Sequence, residues 1–379
     1  MAVIDQVKIY SAVFGGLSLS CLILPYVWTY VQITGALCIL CMLARRITTE
    51  YNRQRGKKPV NPRDKAVFIT GCDSGFGFEL VRRLDKIGYK VFAGCLFPEG
   101  DGANNLKKMT SNEVTIVPLD VTKDESVNAA YETVSKSLKN KSCLDLENEL
   151  LSPTELWAVV GNAGVCYAGE VEWGSLDWLQ RTFDVNVIGL VRSVRPFLPL
   201  LRQSKGRVLC TTSLWGHYAI PPAVPYCMSK AAARYFVDGL RREMKKFGVK
   251  CISMEPNVYK TNLTDDNLLI QFMQKSWDST PDSIKRDYGE AYFKKACEYL
   301  SAHISAGRTQ VSEVVDDFVE AVTATHPKYA YHPDGWLRGL SWRLALLAPP
   351  ALQDEIINYI AQPVEYVALK RGKSSEKQG

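Results

Sequence analysis

Lys65-Ala66-Val67-Phe68-Ile69-Thr70-Gly71-Cys72-Asp73-Ser74-Gly75-Phe76-Gly77 is the stretch that decides the fold. Ala66 to Thr70 is a short apolar run with β-branched residues, the composition of a parallel strand buried on both faces. Gly71, Gly75 and Gly77 follow at once, and Phe76 to Ile87 then carries apolar residues at helical spacing. Glycines let a backbone come close to a pyrophosphate. The start of the following helix offers amide donors and the positive end of its dipole. The run predicts a dinucleotide-binding unit, with Gly71, Ser74, Gly75, Phe76 and Gly77 as cofactor-binding residues. A glycine pattern alone fits a tight turn equally well; its place between strand and helix selects the dinucleotide reading.

Strand-like runs also stand at 90–95, 114–118, 157–160, 207–212 and 249–255, alternating with helical stretches. This is the pattern of an α/β protein with a Rossmann-like, doubly wound parallel sheet. Residues 141–154 are polar and read as a loop or short helix inserted before the fourth strand.

The strongest chemical signal lies further along. Tyr226 and Lys230 are four residues apart, and Ser213 lies thirteen residues before the tyrosine. If Pro225 opens a helix, Tyr226 and Lys230 share one face of it. Tyrosine titrates near ~10, and each pH unit of depression needs about 1.4 kcal/mol in favour of the phenolate. A lysine one turn away and a positively charged cofactor ring supply that in principle, giving an acid/base centre with Ser213 holding the substrate oxygen. The pair alone also fits a half-buried tyrosine beside a solvated lysine.

Taken together, Thr70-Gly71-x-x-x-Gly75-x-Gly77, Asn162-Ala163-Gly164, Asn186, Ser213 and Tyr226-x-x-x-Lys230 resemble the short-chain dehydrogenase/reductase family in order and spacing, over about 65–260. Val91–Leu96, Phe197–Leu200 and Lys285–Phe293 resemble one branch of it. That branch holds the type 2 17β- and 11β-hydroxysteroid dehydrogenases, retinol dehydrogenases and D-beta-hydroxybutyrate dehydrogenase. The resemblance implies hydride transfer between an alcohol and a nicotinamide. It assigns acid/base work to Tyr226, tuning and ribose binding to Lys230, substrate orientation to Ser213 and a water relay to Asn186. It also implies cofactor contacts at Asp120, Asn162, Ala163, Gly164 and Thr261; Asp120 fits a helix cap as well. A homodimer is compatible with it, and no metal is implied.

Two positions depart from the family pattern. Gly161 stands where the family has asparagine, and Asn257 follows Pro256 where it has glycine. Asparagine tolerates positive φ better than most residues, so the second turn is expected to survive. For the cofactor, a 2′-phosphate calls for arginine or lysine nearby. The glycine loop carries Asp73 and Ser74 and no base, and the second strand ends in Gly94-Cys95-Leu96. NAD is therefore expected over NADP.

The 379 residues exceed one such domain, and 46% hydrophobic content allows a full core. A formal charge of +6, with no basic stripe interleaved with aromatics, argues against nucleic-acid binding. The 11 cysteines show no paired spacing, which points to a reducing compartment. Cys38-x-x-Cys41 has the form of a redox motif, but lies in an apolar run where small buried thiols are the plainer reading.

Ile9 to Ala44 holds no charged residue, and a straight helix of that length would reach roughly 54 Å against a ~30 Å hydrocarbon core. Pro25, with Tyr26, Trp28 and Tyr30 beside it, divides the run. Two readings fit: a hairpin of two short helices, or one span from about Leu22 to Leu43 after an interfacial segment. Arg45, Arg46, Arg53, Arg55, Lys57 and Lys58 follow the run, so the positive-inside rule keeps residues 45 onward in the cytosol. The expected organisation is a membrane anchor over 1–44, a basic linker over 45–63, the dehydrogenase domain over 64–335 and a C-terminal segment over 336–379. The endoplasmic reticulum membrane is the expected location, a mitochondrial membrane the alternative. Trp336 to Ile360, rich in Trp and Leu, fits core packing, a cover for the pocket or a bilayer contact. The tail from Lys370 is charged and expected to be disordered.

Residues 213–230 contain no arginine, which a small carboxylate substrate usually needs. Leu214, Trp215 and His217, with Cys166 and Tyr167 opposite, are the candidate substrate-lining residues; His217 also fits a structural role. Aromatic residues within 262–300 are where the family builds its substrate lid. A lipophilic alcohol of the steroid or retinoid class is the expected substrate, in keeping with a membrane lipid environment. The alternatives are 3-hydroxybutyrate and a non-catalytic NAD-binding membrane protein.

Overall fold

The computed structural model describes residues 29, 30, 32–38, 40, 41, 44, 48, 59–144, 154–334 and 347–361. The chain divides into two compact units, Met1–Lys58 and Pro59–Gly379. In the first, the described residues, including 32–38, are helical. Most of the run read as an anchor lies outside the described residues, and among those described no helix is long and apolar enough to cross a membrane. Residues 145–153 and 335–346 also lie outside them.

The second unit is built on seven parallel strands: β1 Lys65–Thr70, β2 Lys90–Cys95, β3 Val114–Pro118, β4 Glu155–Gly161, β5 Arg207–Thr211, β6 Lys250–Met254 and β7 Ala330–Tyr331. Their order is β3-β2-β1-β4-β5-β6-β7, so the chain reverses direction across the sheet between β1 and β4. A ligand crevice opens at such a switch point. The helices are α1 Gly75–Ile87, α2 Asp101–Met109, α3 Asp124–Leu144, α4 Leu176–Phe183, α5 Leu190–Val194 and α6 Leu198–Ser204. They continue as α7 Val224–Met244, α8 Asp266–Asp278, α9 Asp282–Tyr288, α10 Glu290–Ser305, α11 Ser312–Thr323 and α12 Pro350–Ala361.

Alternate residues of each strand face opposite sides of a sheet, and here both sides are covered. Ala66 and Phe68 pack with Val134 of α3, Val194 of α5 and Val237 of α7. Val67 and Ile69 pack with Leu80 of α1, Leu106 of α2 and Phe318 of α11. This two-sided burial is why the strands read as continuous apolar runs. The polar stretch expected as an insertion begins instead as the end of α3, which runs to Leu144.

Two features went unread in the sequence. β7 has two residues, Ala330 and Tyr331, set opposite Ser253 and Met254, and is too short to carry a hydrophobic pattern. Arg207 opens β5 fully buried, its guanidinium 4.2 Å from the Trp157 ring centroid. It donates to the carbonyls of Ala321 (2.7 Å) and Ala324 (2.9 Å), where a helix dipole favours a cation. Burial draws its pKa down to about 10.

Candidate active site

The glycine turn sits at the switch point and is locked from below. Thr70 Oγ1 accepts from the backbone N–H groups of Asn162 and Ala163, both at 3.0 Å. Asn162 Nδ2 donates to the carbonyls of Thr70 (3.1 Å) and Gly71 (3.0 Å), and its Oδ1 accepts from Thr211 Oγ1 at 3.1 Å. One asparagine thus ties the turns after β1, β4 and β5. Gly71 has φ +69°, and a Cβ there would lie 2.7 Å from Ala163 Cα; a Cβ on Gly77 would collide with the Gly71 carbonyl oxygen. Ser74 precedes α1 without a side-chain capping bond, and no acid occupies its first turn. The α1 amides therefore face the crevice, which measures about 340 Å³. Its lining runs from Gly71, Ser74, Gly75 and Phe76 through Asn162, Ala163 and Gly164 to Ser213, Tyr226, Lys230 and Thr261. A cradle a Cβ would fill, beside uncapped helix amides, fits the diphosphate of NAD(P).

The two departures from the family pattern have local causes. A Cβ on Gly161 would collide with Leu190 Cδ1, so the leucine takes the space an asparagine would need. Asn257 does not adopt positive φ; its Nδ2 donates to Asp334 Oδ2 at 2.9 Å, and that bond holds the turn instead. Asp73 accepts from the backbone N–H groups of Leu96 (3.0 Å) and Phe97 (2.9 Å), placing its carboxylate at the end of β2.

Tyr226 and Lys230 lie in the first two turns of α7, and both are buried. Lys230 Nζ donates to the Thr211 carbonyl at 2.8 Å and stands 5.6 Å from the Tyr226 ring centroid. Burial draws the lysine down to about 8, with Cys166 and Cys210 acting the other way. Burial likewise pushes the Tyr226 phenol well above its ordinary value; Cys166 and Cys227 add to this, and a hydrogen bond with Ser213 opposes it. The sequence predicts a phenol depressed by the lysine and a positively charged cofactor ring together; the chain by itself, without that ring, raises it. Enclosure by apolar walls outweighs one ammonium that burial itself disfavours and that points at a carbonyl.

Ser213 caps a 3₁₀ turn, Leu214–Gly216: its Oγ accepts from Trp215 N and donates to the Pro256 carbonyl, each at 3.2 Å. Asn186 lies in a π-helical segment, Asp184–Gly189, a register change that often marks functional sites. Its Oδ1 accepts from Val165 N (2.8 Å), and its Nδ2 donates to Val165 O (2.9 Å) and Ser229 Oγ (3.0 Å). The side chain is spent on joining the Asn-Ala-Gly turn to α7.

On the substrate side, Ser213, Tyr226, Trp215 and Cys166 border a smaller apolar cavity completed by Ala168, Leu269, Leu300 and Ile304. No charged side chain lines it among the described residues. Tyr167 stacks on Trp178 and meets Phe272 edge-on, both centroids at 4.6 Å, closing the crevice from α4 and α8. Leu214 is buried and lines neither space. His217 also lines neither; its Nε2 lies 2.8 Å from Glu255 Oε2. Asp120 accepts from Thr122 N and Oγ1, and these bonds, against the opposing effect of burial, hold its carboxyl below the ordinary range. Glu255 and His332 went unread in the sequence. An acid closing the apolar run 249–255 is the one signal that marks Glu255.

The short chain dehydrogenase family matches residues 65–268. Mitochondrial D-beta-hydroxybutyrate dehydrogenase of Rattus norvegicus is 36% identical over 296 residues, covering 77% of this chain and 83% of that protein. 17-beta-hydroxysteroid dehydrogenase type 6 of Bos taurus is 36% identical over 295 residues (78% and 88%). Retinol dehydrogenase 7 of Mus musculus is 34% identical over 294 residues, with the same coverage. A short chain dehydrogenase/reductase from Burkholderia phymatum, solved in complex with NAD, shares the fold. Its TM-score is 0.59 at 20% identity, over 75% of this chain and 94% of that one.

Proposed function

The chain belongs to the short-chain dehydrogenase family, and from that premise we propose that it is a membrane-anchored enzyme moving hydride between a lipophilic alcohol, of the steroid or retinoid class, and NAD. One observation carries the substrate class: the cavity beside Ser213 and Tyr226 is walled by Trp215, Leu269, Leu300 and Ile304, and among the described residues no cation lines it to meet a carboxylate. Apolar walls gain about 25 cal/mol for each Å² of apolar surface they take from water, and discriminate against charge through desolvation. NAD is favoured by Asp73, whose carboxylate at the end of β2 repels a 2′-phosphate.

The nicotinamide supplies the hydride acceptor or donor when bound. The chain's own residues do the rest. Ser213 Oγ orients the substrate oxygen, and Tyr226 exchanges its proton with that oxygen. Lys230 sits between the tyrosine and the Thr211 carbonyl, and Asn186 holds the turn behind them. Residues 1–44 are assigned to the anchor, 45–63 to a basic linker, 64–335 to the dehydrogenase domain and 336–379 to a C-terminal segment. The basic flank supports a cytosolic catalytic domain on the endoplasmic reticulum membrane, and a homodimer is the proposed assembly.

A second reading, oxidation of 3-hydroxybutyrate, is favoured by the similarity to D-beta-hydroxybutyrate dehydrogenase. Steady-state assays of the full chain with NAD+ or NADP+ against steroids, retinoids and short hydroxy acids separate the two. Turnover of 3-hydroxybutyrate with no activity on any lipophilic alcohol would overturn the first. Binding of NADH without turnover of any panel member would leave a non-catalytic binding protein.

A further inference from the structure

Glu255 follows β6 and is 4% exposed. A buried carboxylate is costly unless several donors meet it, and here they come from separate parts of the chain. Its Oε2 lies 2.8 Å from His217 Nε2 and 3.1 Å from His332 Nδ1. Its Oε1 accepts from Ser253 Oγ at 2.9 Å and has Arg234 Nε at 3.9 Å. Burial opposes the charge, but the bonds and charges of the two histidines hold the carboxyl well below the usual range.

The residue after Glu255 is Pro256, whose carbonyl receives Ser213 Oγ (3.2 Å) and Leu214 N–H (3.1 Å). The short turn carrying the serine is therefore held at both ends by one dipeptide. Pro256 grips its start, and Glu255 grips its end through His217. The dipeptide and the residues that follow it are themselves anchored from behind. Glu255 N donates to the Tyr331 carbonyl at 2.8 Å, Asn257 Nδ2 donates to Asp334, and the Tyr259 hydroxyl donates to the Pro333 carbonyl. A serine Oγ occupies one of a few staggered positions about Cα–Cβ, so its aim depends on the backbone that carries it; this clamp sets that backbone.

We propose that Glu255 is a positioning residue for Ser213, acting through His217 rather than touching substrate. The proposal rests on the dehydrogenase reading for its kinetic consequence, while the clamp itself is a property of the folded chain. Misplacing a catalytic group by about 1 Å costs on the order of a hundredfold in rate.

The test uses the full-length protein with His217→Leu, His217→Gln and Glu255→Gln. It reads kcat and KM on the best alcohol of the panel, NADH affinity by fluorescence, and amide hydrogen exchange over residues 213–217. His217→Leu is expected to lower kcat by about tenfold to a hundredfold, with NADH affinity held within about twofold and faster exchange over 213–217. His217→Gln restores a donor toward Glu255 and is expected to recover most of both losses. Glu255→Gln keeps one acceptor for His217 but loses the charge, so it is expected to show the same losses as His217→Leu in smaller measure, and the histidine variants decide the question if it does not fold. Wild-type kcat and exchange in His217→Leu would overturn the proposal. So would failure of glutamine to rescue, or a loss of NADH affinity as large as the loss of kcat. If the wild-type chain turns over no alcohol, the dehydrogenase reading falls, and the exchange data alone decide the clamp.

Discussion

Lys230 is a residue whose removal is expected to make the cofactor-free protein more stable. Its ammonium is buried and donates to the Thr211 carbonyl at 2.8 Å, yet burial draws its pKa from 10.5 to about 8. At about 1.4 kcal/mol per pH unit, carrying the charge in the folded state costs roughly 3 kcal/mol below pH 8. The sign follows from proton counts. Between pH 8 and 10.5 the unfolded chain holds this proton and the folded chain does not, so stability rises with pH there and the penalty fades. Lys230→Met keeps most of the volume, removes the charge and leaves the Thr211 carbonyl without its donor, a loss of about 1.5 kcal/mol. The net is a gain of about 1–2 kcal/mol below pH 8, or a rise in Tm of about 2–6 °C. Thermal unfolding of both proteins without cofactor at pH 6, 7 and 8 and then near 10 measures it, with turnover lost in parallel. A variant that melts below wild type at pH 7, or a Tm difference that stays constant up to pH 10, would refute the reasoning. The trade is one in which a site keeps a destabilising group because its chemistry needs it.

Tyr226→Phe removes the hydroxyl that exchanges the proton and little volume; turnover should fall by at least about a hundredfold, with NADH affinity by fluorescence titration within about twofold. Equal losses of both would point to a packing role. Asp73→Asn keeps one acceptor for the N–H groups of Leu96 and Phe97 while removing the charge. The ratio of kcat/KM for NAD+ over NADP+ should drop by about tenfold, as expected for one charge pair in a high-dielectric crevice, and an unchanged ratio would remove Asp73 from cofactor choice. For the proposed anchor, protease treatment of sealed microsomes should degrade the catalytic domain; full protection would reverse the orientation drawn from Arg45, Arg46 and the basic residues after them.

What could be read from the sequence was what repeats at short range. The strand–glycine–helix passage of residues 65–87, the one-turn spacing of Tyr226 and Lys230, and the two-sided apolar strands are local patterns dictated by backbone geometry. They were enough to mark six of the seven strands, the glycine turn after β1 and the shared helix face of Tyr226 and Lys230, while the role of Ser213 beside them came from the family resemblance. Tertiary structure alone decided quantities that depend on neighbours distant in the chain. Spacing predicted that Lys230 and a cofactor ring together would depress the tyrosine; in the chain by itself the direction at Tyr226 is set by burial among Cys166, Trp215 and Ala223. His217 turns from the substrate side toward Glu255 because β6 runs beside β5 and brings position 255 under the serine turn. β7 and the buried Arg207 depend likewise on where residues 321–334 return to the sheet. Side-chain periodicity states which face of an element is buried. Only the assembled sheet determines which charges and hydroxyls that face will meet.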